Sequence, residues 1–163
     1  MSTTIERIDA REQLNGWLQG VTKMYLSDVQ AIPEEKWAAT FGGCTRPASV
    51  LTADAIGFLF WTAMAITEGG TPTIPDGAEK QLEEACATKE GAIAKMEKGS
   101  TMLSEALMGA TEEHLMKTAT TPWQMEAPLY SLAQMAVSHI WYHDGQLNYI
   151  QCLMGDADYH WSH

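Results

Sequence analysis

Positive charge is scarce in this chain: 10 Lys and Arg stand against 21 Asp and Glu in 163 residues, a formal net charge of −11. So acidic a surface lacks the basic face that phosphate binding needs, which argues against nucleic acid as a partner. Cysteine is scarce too. Cys44, Cys86 and Cys152 are odd in number and at no metal-ligand spacing, so neither a disulfide framework nor a cysteine-held zinc is expected, and a reduced cytoplasmic setting is the default. The opening stretch Met1-Ser-Thr-Thr-Ile-Glu-Arg7 has no apolar signal core, so export is not expected. The run from Val50 to Ile66 is apolar except for one charge, Asp54. It falls about three residues short of the ~20 of a membrane span, and with that carboxylate it reads as a core helix, with no membrane partner. Repeats, low-complexity tracts and linkers are likewise missing.

What the chain does have is apolar mass, 45% hydrophobic residues including 10 Met and 6 Trp, enough for one core and a single domain over 1–163. Its periodicity is helical throughout. A first helix is expected after a Ser2-Thr3-Thr4 cap, running to about Gln30 with Ile5, Ile8, Leu14, Leu18, Val21, Tyr25 and Leu26 as apolar positions, and Pro33 ends it. A second runs from about Pro47, well placed in a first turn, to Thr67 before the Glu68-Gly-Gly-Thr-Pro break. A third and more polar helix spans about Asp76 to Met108, with Gly91, Gly99 and Ser100 as its weak points. Thr111-Glu-Glu-His114 reads as a capped short turn with an exposed or loop histidine that is not assigned to any metal. Pro128 opens the fourth helix, which continues to about Met154 with Gly155 as its stop.

Within that fourth helix lies the most informative pair in the sequence, His139 and His143, four residues apart and therefore stacked on one helix face. They share the stripe of Leu132, Met135, Ala136, Leu147 and Ile150, so they point into the core. Buried imidazoles need partners for their ring nitrogens; two side by side are satisfied by a divalent ion or by a polar network. Asp54 poses the matching question in the second helix. Steps of three and four put it with Val50, Gly57, Phe58, Trp61 and Ala65, on or beside a buried stripe. A carboxylate there needs a cation opposite or a place at the rim, with Arg46 the nearest basic residue. One metal held by Asp54, His139 and His143 satisfies all three groups and leaves coordination positions open.

The residues His139-Ile-Trp-Tyr-His143-Asp-Gly145-Gln146-Leu147-Asn148-Tyr149 through Gly155 resemble the last helix of the DinB/YfiT-like family: histidine, three residues, histidine, then a Gly-Gln-Leu step and a terminal Gly. The Pro122-Trp123 turn and the Cys44-Thr-Arg-Pro47 entry to the second helix are also similar to that family, and helix order and length match over essentially the whole chain. The resemblance implies an all-α, up-down-down-up four-helix bundle, a homodimer, and a divalent metal held by one second-helix and two fourth-helix histidines. By position those ligands fall on His139 and His143, with Asp54 where the family pattern has histidine. This departure makes the set two histidines and one carboxylate, or marks a site that has lost its metal. Zinc and nickel fit such a set, and iron or manganese become reasonable.

Gln146, three residues after His143, reads equally as support for a ligand or as a structural amide. Asp144 projects roughly a hundred degrees away and reads as a surface charge or an interhelix contact. Trp61, Trp141 and Tyr142 read as core or subunit-contact aromatics, and His160 and His163 as tail residues without a catalytic role. Two functions follow. One is a metal-dependent enzyme acting on a small molecule, a transferase using a low-molecular-weight thiol, as the resemblance implies, or a metal-assisted hydrolase. The other is a noncatalytic dimeric bundle with a structural or vacant metal site. No separate general base stands out.

Overall fold

The computed structural model describes residues 8–161. The expected Ser2-Thr3-Thr4 cap, Ile5 and His163 lie outside the described residues. Helix α1 covers Ala10–Ala31 and begins at an Asp9 cap, whose carboxylate accepts the Arg11 backbone N–H at 2.9 Å. That corrects the earlier start, and Ile8, expected on the apolar face, precedes the helix and is 72% exposed. Beyond it Leu14, Leu18, Val21 and Tyr25 are buried as their spacing requires.

Helix α2 covers Ala48–Glu68 and ends at Gly69, whose φ of 74° suits a residue without Cβ. It is long and apolar enough to cross a membrane, yet most of it is buried in the bundle as a core helix. The expected third helix is two, α3 over Ala78–Cys86 and α4 over Lys89–Gly109. The break falls at Ala87-Thr88 and not at a glycine, because the Thr88 hydroxyl accepts the Gly91 N–H and starts α4 afresh. Gly91 is needed for the turn: a Cβ there would collide with the Ala85 carbonyl. Gly99 does not break α4; it lets α4 approach α2, where an added Cβ would lie 2.9 Å from the Leu59 side chain. The short α5, Glu112–Leu115, is capped by Thr111 as expected. A hairpin of β1, Thr118–Thr120, and β2, Glu126–Pro128, frames the Pro122-Trp123 turn and was not foreseen. Helix α6 then runs Leu129–Leu153, with Gly155 at φ 89° just beyond it.

The long helices α1, α2, α4 and α6 make the bundle: α1 packs on α4 and α6, and α2 packs on the same two. Tyr130 at the start of α6 donates to the carbonyl of Ala10, and Asn148 near its end donates to Asp28 near the end of α1, so these helices run parallel. Arg11 donates to the carbonyl of Ala110 past the end of α4, making α1 and α4 antiparallel. His114, just after α4, donates to the carbonyl of Ile66 near the end of α2, so α2 and α4 are parallel. The result is the up-down-down-up order. The core between these helices includes Leu18, Leu59, Leu103 and Leu132, all fully buried, each contributing about 2 kcal/mol.

Candidate metal centre

The first third of α2 lies against the middle of α6, and there Asp54 meets His139 and His143. Helix geometry does half of this, since a four-residue step brings the two imidazoles together whatever the tertiary fold. Their Nε2 atoms are 3.1 Å apart, and Oδ2 of Asp54 is 3.5 Å from Nε2 of His143. The three ligand atoms lie within 4.8 Å of one another, close enough to share one cation. His143 is fully buried and His139 partly so.

Burial holds both rings neutral. It lowers His143 to about 4, assisted by His139 beside it and opposed by the Gln146 hydrogen bond and the Asp54 charge. It also lowers His139, against the pull of Asp54. Neutral imidazole is the form that binds a metal. Its orientation is set as well: Nδ1–H of His143 donates to Oε1 of Gln146 at 2.7 Å, and the Gln146 amide donates to the Tyr142 hydroxyl at 3.1 Å. With its proton held on Nδ1, His143 presents the Nε2 lone pair toward His139 and Asp54. Of the two readings of Gln146, the structure has the one in which it supports the histidine.

Asp54 stands at the rim, 45% exposed, and its Oδ2 accepts a hydrogen bond from Arg46 Nη1 at 2.8 Å. The two alternatives for this residue therefore hold together, a rim carboxylate paired with Arg46 that also faces the histidines. The donor set fits a divalent ion on chemical grounds. Two neutral nitrogens and one carboxylate suit a borderline transition metal, and a separation near 3 Å matches neighbouring ligand atoms around an ion bonded at about 2.0–2.2 Å.

Of the two readings of Asp144, the structure has the interhelix contact: it is 2% exposed and stands beside the carboxyl of Asp28, itself fully buried near the end of α1. Burial and the neighbouring carboxyl push Asp144 well above the usual carboxylate range, so this pair retains a proton. Asn148 and the Trp161 indole each donate to Asp28 Oδ2 at 2.7 Å. Sequence reasoning missed the pair, although Asp28 follows Tyr25 by three on the buried stripe and could have been flagged. Trp61 is buried, whereas Trp141 and Tyr142 are exposed. His160 pairs with Asp156 in the tail, away from the cluster.

Beside His139 opens a cleft of about 630 Å³, walled by one stripe of α6, by Phe58 of α2 and by Trp123 from the hairpin turn. The turn is specific. Gln124 N–H donates to Thr121 O with Pro122 in the next position, and Gln124 takes a left-handed φ of 66°. This conformation is costly for a residue with a Cβ, and it holds Trp123 against Phe58, ring centroids 5.2 Å apart.

The bundle order is that of the DinB-like fold, and a possible His/Asp metal cluster lies between its second and last bundle helices. No protein-family model and no curated protein sequence matches the chain. Solved structures do. YfiT from Bacillus subtilis, described as a probable metal-dependent hydrolase with an unusual four-helix bundle topology, is similar at TM-score 0.70 and 14% identity over 95% of this chain and 94% of that one. A DinB-like protein from Bacillus subtilis is similar at TM-score 0.61 and 18% identity over 90% and 94%. A mycothiol-dependent maleylpyruvate isomerase is similar at TM-score 0.64 and 14% identity, covering 90% of this chain and 63% of the isomerase. At these identities the likeness establishes the fold.

Proposed function

We propose that the protein is a divalent-metal-dependent enzyme acting on a small molecule, with Asp54, His139 and His143 as the metal ligands. One observation carries this: a buried and a half-buried imidazole, both held neutral, and a carboxylate from another helix converge on one point, and Gln146 fixes the tautomer that turns the His143 lone pair toward it. A bound ion there would supply Lewis acidity and lower the pKa of a coordinated thiol or water. The protein's own part is distinct. The histidine pair stays neutral, Gln146 and Tyr142 hold the rings in register, Arg46 steadies the carboxylate, and the adjacent cleft receives the organic group.

A thiol-dependent transferase and a metal-assisted hydrolase are the two reaction types that similar structures suggest, one from the mycothiol-dependent isomerase and one from YfiT. Zinc, nickel, iron or manganese suits the donor set. A low-molecular-weight thiol as partner, a homodimer and a cytoplasmic setting belong to the same proposal. The exposed aromatics Trp141, Tyr142 and Tyr149 of α6 support the homodimer.

A second reading is favoured by a specific contact. Arg46 already neutralises Asp54, so the cluster is stable as an ion pair beside a histidine pair, and the bundle then serves as a noncatalytic protein with a structural or vacant site. Elemental analysis of tag-free protein, with Asp54→Ala and the His139→Ala, His143→Ala double variant, separates the two. About one equivalent of transition metal in the parent protein, lost in both variants, supports the enzyme. A parent protein that neither carries nor takes up metal sinks it.

A further inference from the structure

The cleft beside His139 differs from the metal cluster in one respect that bears on what enters it: among the described residues no Lys, Arg, Asp or Glu lines it. Its walls are Phe58, Trp123 and Met135, and its polar atoms belong to Ser131, Gln134, Ser138 and the candidate ligand His139, all four on the same stripe of α6. A charged group pressed against such walls would lose hydration without gaining a counter-charge. An uncharged ring would gain contact on its faces and hydrogen bonds at its edge. Two further observations point to a ring. Trp123 is 53% exposed at the tip of a hairpin turn, a position usually left to small polar residues, and the left-handed Gln124 next to it holds the indole tilted at 52° to Phe58. Phe58 in turn meets the His139 ring edge-on, centroids 5.5 Å apart, so the aromatic corner leads to the candidate ligand.

We infer that this cleft binds an uncharged aromatic group of the substrate, seated between Trp123, Phe58 and the Ser131–Ser138 stripe, with its polar edge toward α6. The inference rests on the proposed metal site for the reaction, where the ring would deliver a reactive substituent beside His139. It does not rest on that site for binding.

The test uses three probes with one ring system and different charge: 2-naphthylmethanol, 2-naphthoate and 2-naphthylmethylamine. Their binding to the full chain, stripped of metal so that no ion at His139 can hold the naphthoate, is measured by ligand-detected NMR titration. The neutral alcohol is expected to bind at least tenfold tighter than either ion, and Trp123→Ala to weaken it at least tenfold while circular dichroism stays unchanged, since Trp123 lies outside the packed core. Ser138→Lys, at an exposed helix position, should move the preference toward the naphthoate by about two- to fivefold, the range of an exposed ion pair. Metal-stripped Asp54→Ala protein should bind the alcohol as the parent does, so failure of the metal site and failure of the cleft read out separately. Equal or tighter binding of either ion, or an alcohol affinity indifferent to both Trp123→Ala and Ser138→Lys, overturns the inference.

Discussion

The imidazole of His143 and the side-chain amide of Gln146 are joined by a 2.7 Å hydrogen bond from Nδ1 to Oε1, and this one contact decides which nitrogen of His143 faces its neighbours. Gln146→Leu keeps the approximate volume and removes the acceptor. Outer hydrogen-bond partners of metal-binding histidines are worth roughly 10–100-fold in affinity, so Gln146→Leu should weaken zinc binding by about that much in isothermal titration. An unchanged affinity would mean that the tautomer is set elsewhere.

Arg46 and a metal ion would compete for the negative charge of Asp54. Removing the guanidinium with Arg46→Gln frees the carboxylate and removes a like charge from the ion. The pair is half exposed, where such interactions amount to about 1 kcal/mol or less, so metal affinity should rise by about fivefold at most. The gain should shrink as salt is raised from 0.05 to 0.5 M, in line with screening between exposed charges. Weaker binding in the variant would show instead that Arg46 positions Asp54.

Two buried groups shape the pH dependence of stability in opposite senses. Burial lowers His143 from 6.5 to about 4, so its contribution is present above 6.5 and is lost as pH falls toward 4. Burial and Asp28 raise Asp144 from 3.8 to about 8, so its contribution is complete at acid pH and is lost as pH rises toward 8. From about 4 to 6.5 the two oppose each other; above 6.5 only Asp144 acts. Urea denaturation of EDTA-treated protein should show stability nearly level from pH 5 to 6.5 and falling by pH 8, at a slope of at most ~1.4 kcal/mol per pH unit. Asp144→Asn should remove the fall, and a parent protein most stable at pH 8 would contradict the assignment.

At the junction of α3 and α4, Gly91→Ala sets a methyl group against the Ala85 carbonyl, which is backbone and yields little. It should destabilise the bundle by about 3 kcal/mol by denaturant titration. Thr88→Ala removes only the cap and should cost about 1 kcal/mol. If the two variants lose equal stability, the close approach at Gly91 is not what shapes the junction.

The apolar stripes of the long helices and the histidine pair were legible in the residues because both depend on separations of three and four along the chain, whereas the break between α3 and α4 was not. Leu14, Leu18, Val21 and Tyr25 bury as their period requires, and His139 reaches His143 through one helical turn alone. Asp54 was legible as a charge needing a partner. Which partner it has was not, since Arg46 approaches through the loop before α2 and the histidines through α6, almost ninety residues further on. The Asp28–Asp144 pair, with Asn148 and Trp161 gathered on it, depends on α1 and α6 lying parallel, which no local pattern records. Nor does composition reveal that Trp123 would stand beside Phe58 as a cleft wall, because a strained turn residue and a two-strand hairpin place it there. The sequence by itself determined the acidic, helical character of the protein and the donors a metal would need. Only the packing of helices distant in sequence decided how those donors converge, because burial and charge pairing depend on which faces meet.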